Sequence, residues 1–88
     1  MNAIREEARL YAIEYMIMNV YAHLHCLLKT SPQKVREMHD AFREQMAVET
    51  FSLDDPAESD AFAAEVQQAV EQMQDGIEEI LGMAKRKG

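Results

Sequence analysis

The chain has 88 residues, 48% of them hydrophobic, and carries 9 Lys and Arg against 16 Asp and Glu, for a net charge of −7. That length accommodates one domain and no second core, and the hydrophobic fraction is ample for folding. An acidic chain repels phosphates, so nucleic-acid binding is excluded as an expectation.

The charge is unevenly placed. Residues 1–43 hold 6 basic and 5 acidic side chains, whereas residues 44–84 hold 11 acidic ones and no Lys or Arg. Lys85, Arg86 and Lys87 add a short basic end, too small to reverse the balance. The single cysteine, Cys26, cannot form an internal disulfide, so nothing points to an oxidising compartment. Two glutamates in MNAIREEAR make a poor signal-peptide start, and His25 before Cys26 does not fit a lipoprotein cleavage site. A cytoplasmic protein is expected.

The first element is organised around Leu10–Leu28, LYAIEYMIMNVYAHLHCLL, which no proline or glycine interrupts. Helix one is predicted from about residue 3 to 29. It carries two apolar stripes. Leu10, Ile13, Ile17, Val20, Leu24 and Leu27 recur at alternating three- and four-residue steps and form an aliphatic face. Ala8, Tyr11, Tyr15, Met18 and Ala22 recur at the same steps on the opposite side. A helix that is apolar on two sides must be covered twice. Glu14 and the two histidines within the run argue against a membrane span, because each would cost a few kcal/mol in hydrocarbon.

Thr30-Ser31-Pro32 breaks the chain, with Ser31 as N-cap and Pro32 as first helical residue of helix two, predicted over 32–49. So short a connection predicts that helices one and two are antiparallel neighbours. Val35, Met38, Phe42 and Met46 are its apolar stripe, with His39 at the margin; Lys34, Arg36, Glu37, Asp40, Arg43 and Glu44 are assigned to an outer face. The segment TFSLDD is too apolar at Phe51 and Leu53 to float free. Asp55-Pro56-Ala57-Glu58 then reads as a capping box that opens helix three, predicted over 56–84, with Gly76 a candidate bend and residues 85–88 a frayed basic tail. The fold class is all-α: an antiparallel three-helix unit, completed into a larger bundle by homodimerisation.

No catalytic constellation is readable. His23, His25 and His39 are not preceded by a glutamate three residues earlier, and no H-x-x-x-H is present, so bundle-type metal motifs are absent. His23, His25, Cys26 and His39 remain weak metal candidates, needing ligands from more than one helix. His23 and Cys26 share a helix face, but no oxyanion site or cleft accompanies them, and Cys26 reads as a small filler. Glu14, Tyr21 and His25 share a sector and form a narrow polar seam. The three glycines make no phosphate loop. No cofactor is expected.

Two readings follow. The first is a non-enzymatic interaction module: a small acidic homodimeric adapter or regulator that meets its second copy through Ala8, Tyr11, Tyr15, Met18 and Ala22. Tyrosine and methionine are frequent interface anchors. The acidic run adds the option of a basic protein partner, whose capture would weaken steeply with salt. The second is a ligand- or metal-binding bundle that uses His, Cys and Glu side chains from several helices.

Overall fold

The computed structural model describes residues 2–48, 50–51 and 53–86, and it contains three helices: α1 (Asn2–Leu28), α2 (Pro32–Ala47) and α3 (Pro56–Ile80). No strand occurs among the described residues, so the chain is an all-α three-helix unit. Position 49, the expected end of helix two, and positions 87–88 of the tail lie outside the described residues.

Local chemistry sets the helix ends. Ser31 Oγ accepts the Lys34 N–H at 3.1 Å and Pro32 follows in the first turn, as the sequence predicts. Asp55 caps α3 by accepting the Ala57 N–H at 3.0 Å, again ahead of a proline. Both α1 and α3 end in paired Schellman bonds: Lys29 N–H to Cys26 O with Thr30 N–H to His25 O, and Gly82 N–H to Glu79 O with Met83 N–H to Glu78 O. That motif needs a left-handed residue, supplied by Gly82 at φ 73° and by Lys29 at φ 54°. Gly82 therefore stops α3 at Ile80, four residues short of the predicted end.

α3 is the centre of the unit and packs against both α1 and α2, while the α1–α2 contact is the weakest of the three. The short connection does not make α1 and α2 close neighbours, because α2 is drawn to α3 by charge. Arg43 donates to Gln74 Oε1, to Glu71 O at 3.3 Å and to Asp75 Oδ1 at 3.0 Å. Arg36 donates to Glu78 at 3.1 Å. Arg36 and Arg43, which the periodicity assigns to solvent, thus turn toward α3, and Met38 and Phe42 from the apolar stripe of α2 stay exposed. Arg86 does not fray: it binds Asp40 at 2.6 Å and Glu78 at 2.7 Å, folding the chain end back on both helices.

The apolar core is small. Among the described residues, Ala22, Val35 and Ile77 are the buried hydrophobic side chains. Gly76 makes no room for a bend but for a neighbour: a Cβ there would fall on Met18 Sδ, so α1 crosses α3 where the missing side chain lets it approach. The radius of gyration is 15.1 Å, against about 12 Å for a compact domain of this length.

Candidate functional site

Two places concentrate chemistry or unusual exposure: the buried polar junction of the three helices and the length of α1. At the junction, Glu78 is buried and accepts from Arg36, from Arg86 and from His39 Nδ1–H at 2.7 Å. Burial pushes its pKa up, but the hydrogen bonds from Arg86 and His39 and the nearby guanidinium charges outweigh it and hold the carboxyl at about 2. Arg86 loses solvation too, yet its bonds to Glu78 and Asp40 raise its pKa further. Gln74 is also buried and donates to His39 O at 3.3 Å.

His25 arrives at this junction from α1. Its ring lies edge-on to His39 with centroids 6.3 Å apart, and its Nδ1 is buried without a hydrogen-bond partner. Burial and the neighbouring His39 lower its pKa from 6.5, so His25 sits neutral. Beside it a crevice of about 190 Å³ runs past Cys26, Thr30, Val35 and Leu81, smaller than the several hundred Å³ of typical ligand pockets.

The metal candidates scatter. His25 and His39 meet, but His39 is committed to Glu78. His23 is exposed and donates from Nδ1 to its own helix at Asn19 O, 2.8 Å away, and Cys26 is exposed. No group of three His, Cys, Asp or Glu side chains is placed to hold a metal ion among the described residues. What the junction can do chemically is hold three elements together through charge. Sequence reasoning did not single out Glu78; the signal was the run of acids on α3 at 71, 75 and 78, matched on α2 by Arg36 and Arg43, seven residues apart as Glu71 and Glu78 are.

On α1 the two stripes part company. Met18 and Ala22 from the Tyr/Met/Ala face pack inward: Met18 reaches Gly76 and Ala22 is only 2% exposed. These two residues, expected to meet a partner, are used within the chain. Toward the N-terminus the same stripe runs past its support, leaving Ala8, Tyr11 and Tyr15 exposed, with the tyrosine rings stacked at 6.3 Å. The aliphatic stripe is open along its whole length: Leu10, Ile13, Ile17, Val20, Leu24 and Leu27 are each between 39% and 80% exposed. Glu14 and Tyr21, at its edge, are exposed as well.

No helix among the described residues is long and apolar enough to cross a membrane. Comparisons with protein-family models, curated proteins and solved structures find no significant match.

Proposed function

We propose that this protein is a non-enzymatic helical interaction module, a small acidic cytoplasmic adapter or regulator that works as a homodimer through α1. The observation that carries the reading is the aliphatic stripe of α1, exposed at all six positions, whereas the opposite stripe turns inward at Met18 and Ala22. Contiguous apolar surface on this scale marks an interaction site.

Area supports a second copy as the occupant. The chain has 7188 Å² of accessible surface, about 1,900 Å² more than a compact monomer of 10.1 kDa should have. A standard interface removes about 800 Å² per partner, so the excess suffices for a stable dimer contact. Charge supports it too. α3 carries seven acidic residues and no basic one, whereas the aliphatic face of α1 carries no charge, so two acidic chains approach with least repulsion there. Finally, residues 3–15 of α1 lack tertiary cover, and a helix that short is marginal in water on its own. The acids that invited a basic partner are in part answered internally by Arg36, Arg43 and Arg86.

Light scattering coupled to gel filtration tests the reading on two variants. Ile17→Glu places a charge in the aliphatic stripe and is expected to convert the dimer to monomer. Tyr15→Glu, on the other stripe, is expected to leave the dimer in place. Monomeric wild type, or monomer from Tyr15→Glu alone, contradicts this assignment of the contact face.

A further inference from the structure

We infer that the two copies of α1 pair as an antiparallel, left-handed coiled coil, an inference that rests on the homodimer reading and specifies its contact. Leu10, Ile13, Ile17, Val20, Leu24 and Leu27 do more than share a face. Their steps of three, four, three, four and three are a strict seven-residue repeat, with Leu10, Ile17 and Leu24 at one seam position and Ile13, Val20 and Leu27 at the other. A repeat of 3.5 residues per turn keeps a seam facing a second helix only if the two supercoil left-handedly. The structure leaves this seam free for a partner: Met18, Ala22 and His25, which anchor α1 within its own chain, all lie on the opposite side of the helix.

The direction of pairing follows from which residues sit where. In parallel dimers, β-branched residues at the first seam position with leucine at the second favour two strands, while leucine first and isoleucine second favours larger assemblies. Here two of the three first positions are leucine (Leu10, Leu24) and two of the three second positions are β-branched (Ile13, Val20), the order that disfavours a parallel two-stranded pair. Reversing one strand instead stacks unlike positions: Leu10 on the partner's Leu27, Ile13 on the partner's Leu24 and Ile17 on the partner's Val20, each layer repeated by the two-fold axis. Every layer is then aliphatic, and the two helix dipoles oppose. The same register sets the Glu14 carboxylate beside the partner's Tyr21, whose hydroxyl can donate to it on both sides of the seam. Both side chains are exposed in the single chain and free to do so. A parallel pair would offer Arg9 to the partner's Glu14 instead, a rim ion pair of a kind that contributes little.

Cysteine cross-linking of the full chain in a Cys26→Ser background reads the geometry directly. Mixing Leu10→Cys with Leu27→Cys chains is expected to give the mixed disulfide, and neither variant alone is expected to link to itself. Self-linking of each variant overturns the antiparallel assignment. A dimer that links in no combination overturns α1 as the contact. A wild-type monomer defeats the homodimer reading beneath both. A second measurement avoids the seam: Tyr21→Phe should weaken dimerisation about thirtyfold, the worth of two hydrogen bonds, one on each side of the two-fold, with Arg9→Ala near wild type. The reverse pattern contradicts the proposal.

Discussion

Glu78 is the residue on which the chain's own fold turns. Its carboxylate answers Arg36, His39 and Arg86 at once, and removing one partner of a buried ionic cluster leaves the others uncompensated. Glu78→Ala is therefore expected to destabilise by about 3–5 kcal/mol, measured by urea denaturation at fixed protein concentration. Because the folded carboxyl titrates near 2 rather than 4.5, its contribution is fully present above pH 4.5 and is lost as pH falls through that interval, for about 3 kcal/mol in all. His25 acts in a higher window. Its folded pKa lies below 6.5, so beneath pH 6.5 the unfolded chain takes up a proton that the folded chain refuses. Stability should fall as pH drops through that point, and His25→Gln should flatten the slope between pH 7 and 5.5. An unchanged slope would contradict a neutral, buried His25. Lys29 offers a third check. Its left-handed backbone is strained for any residue with a Cβ, so Lys29→Gly is expected to raise stability by about 1 kcal/mol.

At the scale of elements, the crossing of α1 over α3 depends on Met18 occupying the space that Gly76 leaves. Alanine at 76 improves helix propensity by about 1 kcal/mol but must displace the methionine. Gly76→Ala should thus gain little in wild type and gain its full propensity value in a Met18→Ala background, a coupling that a double-mutant cycle reads. Independent, additive effects would mean that the two side chains do not meet. These elements also show what was readable in the chain. Ser31-Pro32 and Asp55-Pro56 announced two helix starts, because capping chemistry is local. The two-sided α1 was equally plain from spacing. The orientation of α2 was not. Its apolar period points Met38 and Phe42 inward, yet Arg36 and Arg43 reach the acids of α3, and the two apolar side chains stay exposed. Periodicity reports one helix at a time and is blind to what the next one carries. Gly82, by contrast, is a legible stop signal that the apolar steps at Ile80, Leu81 and Ala84 mask. Of the five residues expected at the interface, Met18 lies against Gly76 of α3 and Ala22 is buried within the chain, which spacing along one helix cannot foretell.

For the whole molecule, the small buried core and the large open face of α1 have one physical reading. The three apolar side chains buried among the described residues offset only a small part of the conformational entropy lost by 88 residues. The junction around Glu78 positions the helices, but buried ion pairs seldom add much net stability. On the proposed homodimer, the remaining stabilisation comes from the apolar surface that the single chain leaves in water, covered by a second copy. Folding and association are then coupled, so the thermal midpoint should rise with protein concentration. Sedimentation equilibrium at micromolar concentration tests this most directly. A species of about 20 kDa, twice the 10.1 kDa chain, that dissociates only together with loss of helix is the predicted result. A folded, fully helical monomer at the same concentration would contradict it.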